Sequence, residues 1–201
     1  MSVRSHHSMC RVAIRHPIIG SALIIMMVLV LCGCAYKSLD QRISLPAVTT
    51  NTLSCDITYL RKIESIFLEQ DNKGRLTTVY ASSYTFDDQA MSHLRHACQL
   101  KSLALLDSTV TDAGLLSLKG KGALESLALI ESLITDEGIR LICELENLRY
   151  LDVQGTKITD GSVKYLTRLR ELRFLCVKQT RLSEGKIRRL KESLPQCEIE
   201  Y

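Results

Sequence analysis

The chain has 201 residues, of which 46% are apolar, only 5% aromatic and none Trp. That length holds one ordinary domain with a tail, and the composition favours a repetitive aliphatic core over an aromatic-rich barrel or sandwich. The 26 Lys and Arg exceed the 22 Asp and Glu, giving a formal charge of +4. Three of those bases fall in the first 15 residues, and without them the balance is near neutral. Whole-molecule charge therefore points to no particular partner.

Residues 1–17 carry Arg4, Arg11 and Arg15 and no acid, and Ile18–Leu31 reads IIGSALIIMMVLVL. A basic start, an apolar run and then small residues are the three parts of a secretory signal. The four residues Leu31-Cys32-Gly33-Cys34 behind the run resemble the lipobox of bacterial lipoproteins, with Leu31 three before Cys34 and Gly33 just before it. Cys32 is the less usual residue of the four. The resemblance implies a signal peptide over 1–33 and Cys34 as the lipid attachment residue, carrying palmitate-like acyl chains. The alternative is an uncleaved anchor, because 17–36 is twenty residues without a charge, just enough to span a bilayer. Either way the rest of the chain is expected across a membrane. The lipobox implies a lipid-anchored protein of the bacterial cell envelope, facing the periplasm or the surface.

Residues 34–54 read as a tether. Residues 55–86 read as an N-terminal cap with one degenerate repeat. The expectation there is a short helix around Asp56–Lys62, then a hairpin in which ESIFLEQ and RLTTVYA flank the turn Asp71-Asn72-Lys73-Gly74.

From residue 87 the chain repeats every 24 residues: 87–110, 111–134, 135–158 and 159–182 align without a gap, and a partial block ends the chain. Apolar residues recur at places 5, 8, 14, 17, 19 and 24. In the third block these are Ile139, Ile142, Leu148, Leu151, Val153 and Ile158. Places 5 and 8 lie on one face of a short helix, and places 17 and 19 on one face of a strand. Thr111, Thr135 and Thr159 open each block as expected N-caps, with Asp112, Asp136 and Asp160 facing the helix dipole. Place 22 is Ser108, Ser132, Thr156 and Thr180, expected to bond the neighbouring coil.

The pattern L-x-x-L-x-L-x-x-T-x-I over 87–201 resembles the leucine-rich repeat, in its 24-residue bacterial and cysteine-containing, ribonuclease-inhibitor-like form. The ending Leu194-Pro195-Gln196-Cys197-Glu198-Ile199 is similar to the closing cap of bacterial members. The resemblance implies an α/β solenoid: a right-handed βα coil with a parallel sheet on its concave face, capped at the N-terminus by the helix and hairpin. Gly161 and Gly185 sit one place earlier than Gly114 and Gly138, which leaves the last helix starts open. Function is not implied beyond binding, because this fold serves many partners.

Places 16, 18 and 20 point away from the core, and Tyr80, Leu106, Ile130, Tyr150, Asp152, Gln154, Phe174 and Lys178 are the partner-binding residues expected among them. Apolar patches ringed by polar groups mark partner sites, and aromatics serve as anchors. An unidentified protein is the expected partner. The charge is uneven: Glu125–Asp152 holds seven acids and two bases, whereas Lys164–Lys191 holds ten bases and two acids. That basic end offers a second reading, contact with anionic lipid or cell-wall polymer. Nucleic acid is not expected, because the chain is exported and lacks an aromatic-basic module.

No catalytic motif, cofactor loop or metal set is expected, so the chain reads as a non-enzyme. His93 and His96 lie three apart with Cys98 nearby, a pattern far looser than zinc-site spacing. Beyond Cys34, five cysteines remain: Cys55, Cys98, Cys143, Cys176 and Cys197. An odd number leaves at least one unpaired within the chain, and Cys55 with Cys98 is the pair to test. The leader carries its own prediction. Mass spectrometry of the membrane-extracted protein is expected to find a diacylated Cys34 as the first residue. An intact N-terminus would instead favour the uncleaved anchor.

Overall fold

A computed structural model describes residues 53–201. The leader, Cys34, the stretch 17–36 and the tether up to residue 52 lie outside the described residues. No helix among the described residues is long and apolar enough to cross a membrane.

The first helix, α1 (Leu53–Leu60), starts three residues before the expected span and ends at the fully buried Leu60. It leads into an antiparallel hairpin of β1 (Ile66–Gln70) and β2 (Leu76–Ser82). Asp71 builds the turn. Its Oδ1 accepts the N–H groups of Lys73 and Arg75 at 2.9 Å each, and its Oδ2 takes the Arg75 guanidinium. These bonds, Arg75 first, hold the Asp71 carboxyl below its ordinary pKa.

From β3 on, each strand starts 24 residues after the one before: β3 (Ser102–Leu106), β4 (Ser126–Ile130), β5 (Tyr150–Asp152), β6 (Phe174–Cys176) and β7 (Glu198–Glu200). The seven strands form one sheet in chain order, parallel from β2 onwards. Between them run α2 (Asp88–Ser92), a 3-10 turn (Gly114–Leu118), α3 (Asp136–Ile142), a second 3-10 turn (Asp160–Ser162) leading into α4 (Val163–Leu166), and α5 (Glu184–Ser193). In the four full repeats, places 5 and 8 and places 17 and 19 close on a single aliphatic core. Full burial of each such side chain contributes roughly 1.5–3 kcal/mol. The fold is a leucine-rich-repeat solenoid.

The acids at place 2 do more than face their own helix dipoles: Asp136 and Asp160 lie in the expected first turns, whereas Asp112 precedes its 3-10 turn. Each reaches forward to the next coil. Asp88, Asp112, Asp136 and Asp160 accept the backbone N–H of Thr111, Thr135, Thr159 and Ser183 at 2.7–2.8 Å, and the hydroxyl of the same residue with their other oxygen. The three threonine hydroxyls also accept the N–H two residues on, at 3.2–3.3 Å. Thr135 and Thr159 are the N-caps expected, whereas Thr111 is not, because Ala113 stands at the cap position of its 3-10 turn. A carboxylate offered two converging donors is better satisfied there than beside a short helix end. The Ser183 bonds hold Asp160 below its ordinary pKa.

The glycines follow from this bond. A Cβ on Gly138 would stand 2.5 Å from Asp112 Oδ1, and one on Gly114 would collide with Asp88 Oδ1. The shift of Gly161 is absorbed by the second 3-10 turn, where a Cβ would meet Asp136 Oδ2 at 2.6 Å. Ser162 then takes the usual glycine place, fully buried, with its hydroxyl donating to Thr159 O at 2.8 Å.

Place 22 also differs from expectation. Ser132, Thr156 and Thr180 donate to the carbonyl three residues back in their own coil, at 2.6–3.0 Å. The bond to the neighbouring coil comes from the place-21 backbone N–H, as in Asp107 to Ile130 O, Glu131 to Gln154 O and Gly155 to Lys178 O. One core residue escaped the sequence reading. Lys121 holds a place occupied elsewhere by Ala97, Leu145 and Leu169, and is 3% exposed. Its ammonium donates to the carbonyls of Arg95 and Ala97 at 3.1 Å each, and burial lowers its pKa. Those carbonyls follow the preceding coil's helix turn, and that of Ala97 also accepts the Leu100 N–H at 3.2 Å.

The Asp bond and the glycine are expected to behave as one unit. Asp112→Ala should cost about 1–3 kcal/mol in chemical denaturation, as should Gly138→Ala. The double variant should cost clearly less than the sum, since both remove the same carboxylate contact.

Candidate binding face

The strand register aligns the outward places into rows. Place 18 runs Tyr80, Ala104, Ala128, Asp152, Cys176, Glu200, each residue paired with the next. Place 16 runs Thr78, Ser102, Ser126, Tyr150, Phe174, Glu198. Ser82, Leu106 and Ile130 continue place 20, with Gln154 and Lys178 just past the ends of β5 and β6. Six of the eight expected residues thus alternate onto one side of the strands, with Gln154 and Lys178 beyond the strand ends.

Their exposure is unequal. Leu106, Tyr150, Gln154 and Lys178 are half-buried. Tyr80, Ile130, Asp152 and Phe174 are 6%, 4%, 5% and 5% exposed, yet lie outside the aliphatic core. Strands about 4.8 Å apart let a large side chain cover the neighbour beside it. Asp152, expected to stand open to solvent, is instead enclosed by Tyr150, Cys176 and the Lys178–Glu200 pair.

Tyr150 and Phe174 stack in parallel, ring centres 4.8 Å apart and planes 6° apart. Beside them Asp152 Oδ1 accepts the N–H of Gln154 at 3.0 Å. Burial is the main cause that pushes the Asp152 carboxyl up to about 6, and the Gln154 and Cys176 bonds oppose it only in part. Burial and the nearby carboxylate push the Tyr150 phenol upwards, and likewise the Cys176 thiol, to about 12. Lys178 Nζ meets Glu200 Oε2 at 2.7 Å, a pairing that raises the lysine pKa. A thiol with that pKa is protonated at neutral pH and serves as a weak donor, not as a nucleophile. The cluster therefore offers a stacked aromatic platform with a paired ion and a carboxyl at its edge.

Place 21 adds residues that the sequence reading missed. Asp107, Glu131 and Gln179 take the left-handed conformation, at φ 52°, 54° and 56°, matching Gly155 at 70°. Gly155 was the available signal, since a repeat imposes one backbone conformation on every coil. The Asp107 and Glu131 side chains touch. Burial and the Asp107 carboxylate together raise the Glu131 pKa.

Other candidates are engaged elsewhere. The His93 ring stacks on Tyr59 at 4.0 Å, while His96 is exposed. Among the described residues no three His, Cys, Asp or Glu gather into a metal-sized group. Cys98 is a free, exposed thiol, and the side chain of Cys55 lies outside the described residues. At the basic end Lys191 sits over the Tyr201 ring at 4.2 Å and Arg173 bonds Gln196 at 2.7 Å, while Arg181, Arg188 and Arg189 are exposed.

The raised Asp152 value fixes a sign. The folded carboxyl keeps its proton to about pH 6, whereas an unfolded Asp releases it near 3.9. The folded state thus binds more protons in that window, and this group's contribution to stability falls as pH rises through it. Asp152→Asn is expected to stabilise the protein by about 1–3 kcal/mol above pH 6. The gain should vanish near pH 4, as read by denaturation across pH.

No protein-family model and no curated protein matches the chain. Among solved structures it is similar to an internalin from Listeria monocytogenes, at 20% identity and a TM-score of 0.48. That match covers 54% of this chain and 30% of the internalin. It is similar to a leucine-rich-repeat protein from Leptospira interrogans, at 21% identity and a TM-score of 0.42, covering 55% of this chain and 27% of that one. A third is the leucine-rich-repeat ectodomain of an Arabidopsis thaliana receptor kinase, at 15% identity and a TM-score of 0.46, with coverages of 76% and 92%. The chain spans less than a third of the first two proteins. Its own in-register sheet and 24-residue coils establish the leucine-rich-repeat fold.

Proposed function

We propose that this chain is a membrane-tethered, non-enzymatic binding module of the bacterial envelope, anchored through Cys34 and engaging a protein partner with the open face of its sheet. The observation that carries this reading is the stacked Tyr150–Phe174 pair on the sheet face opposite the aliphatic core. Asp152, Gln154 and Lys178 stand beside it, and the small residues Ser102, Ala104, Ser126 and Ala128 form the floor alongside. Flat aromatic anchors next to fixed polar groups are the residues that dominate binding energy at interfaces. The anchor keeps the module at a surface, where a modest affinity suffices because the partner is held at high local concentration.

The second reading is a structural role in which the basic end contacts anionic lipid or wall polymer, and it draws on the exposed Arg181, Arg188 and Arg189. Salt-sensitive binding to anionic vesicles would support it.

The test is cross-linking in the native envelope followed by mass spectrometry. Tyr150→Ala combined with Phe174→Ala is expected to lose the captured partner, or to weaken its binding tenfold or more, while the circular-dichroism spectrum stays that of the parent. Recovery of the same partners at the same yield would overturn the reading.

A further inference from the structure

The last two coils gather bases on their helix side. On α4 and just beyond it Lys164 and Arg168 are exposed, and on α5 so are Arg188, Arg189 and Lys191. The other side of α5 is in the core, where Ile187 and Leu190 are 7% and 0% exposed. The two helices pack together, and Arg170 ties their coils by donating to Ser193 O at 3.4 Å. Among the described residues none of the five exposed bases lies within ion-pair distance of an acid. Of the nearby acids, Glu171 is paired with Arg173 at 3.6 Å, while Glu184 and Glu192 are exposed on α5 itself.

A separate observation sets this face apart from an ordinary solvated one. Both coils bring a lysine over a tyrosine ring, Lys164 over Tyr165 at 4.7 Å and Lys191 over Tyr201 at 4.2 Å. Tyr165 is half-buried, whereas Tyr201 is 60% exposed. At a bilayer surface a tyrosine ring settles at headgroup level, and a lysine lays its stem on apolar surface while its ammonium stays in the polar layer. A soluble polyanion offers such a ring no apolar layer.

Resting on the reading of the chain as membrane-tethered, and committing its basic end to one surface, we infer that the outer face of α4 and α5 lies on anionic phospholipid headgroups of the bilayer that holds the anchor. Each base near such a surface strengthens the contact roughly fivefold. The preceding coil sets the tilt, because its exposed Glu144 and Glu146, just after α3, are repelled by the same headgroups. Reach is no obstacle. Residues 34–52 extend to at most about 65 Å, whereas the sheet from β1 to β7 is about 29 Å wide. The helices pack on the core side of the sheet, and Tyr150 and Phe174 stand on the other. Docking therefore turns the open face away from the bilayer and leaves it free for a partner.

The experiment holds the full chain by its own anchor in nanodiscs of phosphatidylcholine, alone or with about a third phosphatidylglycerol. A gadolinium-chelating lipid in the disc and methyl NMR read which face lies near the headgroups. Methyl signals of Ile187 and Leu190 are expected to relax at least fivefold faster on anionic than on neutral discs, with Leu106 and Ile130 unchanged. Molar salt should erase that difference while the chain stays in the disc. Lys164→Gln, Arg188→Gln, Arg189→Gln and Lys191→Gln together should also erase it, with the parent circular-dichroism spectrum. Tyr201→Ala should weaken it severalfold, and Tyr150→Ala with Phe174→Ala should leave it intact. Equal relaxation on both discs, an effect that survives the four-site variant, or faster relaxation of Leu106 and Ile130 would overturn the inference. So would soluble polyphosphate or wall polymer that displaces α5 from anionic discs at no more than the charge of the lipid, which would assign the face to a polyanion. A chain that leaves the disc in molar salt overturns the tether and the inference with it. A retained chain whose α5 stays clear of the headgroups overturns the inference alone.

Discussion

The structure depends on a single repeated bond, the carboxylate at place 2 gripping the first residue of the following coil. A solenoid coil touches only its neighbours, so its orientation must be fixed locally. The parallel ladder fixes one edge of each coil. The bonds from Asp88, Asp112, Asp136 and Asp160 fix the opposite edge, where each helix begins. Two separated points of attachment remove the freedom to rotate about the sheet, and the constant 24-residue register follows. The aligned rows on the open face are a consequence of that register.

Those rows divide the face by chemistry. Over β3 and β4 the floor is Ser and Ala with Leu106 and Ile130 at one side, and over β5 to β7 it becomes aromatic and charged. At the rim, Asp107, Glu131 and Gln179 accept a left-handed backbone that glycine adopts freely at 155. Each such residue costs roughly 1 kcal/mol. Side chains retained against that cost are the pattern expected where recognition and stability compete.

The solenoid was legible because periodicity survives any uncertainty about individual residues. Places 5, 8, 17 and 19 are apolar in every coil, and only one backbone path buries them all. The sidedness of Tyr150, Asp152 and Phe174 was legible for the same reason, since alternation along a strand decides which face a residue takes. Their burial was not. It depends on what stands on the next strand 24 residues away, as Cys176 and Glu200 do for Asp152. The partner of Asp112 was hidden likewise: local rules assign an acid in a first turn to its own helix, whereas Thr135 supplies two donors from the next coil. Lys121 was visible as the one charged residue at its place, but its role required knowing that the carbonyls of Arg95 and Ala97 converge there.

That lysine has a consequence for how such a chain can change length. Coils joined by identical bonds are interchangeable in principle, so loss or duplication of 24 residues by recombination would leave a foldable protein. The coil carrying Lys121 is not interchangeable. Its ammonium is seated on the carbonyls of Arg95 and Ala97, above the small Ala97 side chain. Leu145 and Leu169 stand at that place in the later coils and leave no such seat. A buried charge therefore gives one coil a fixed address in an otherwise repetitive stack.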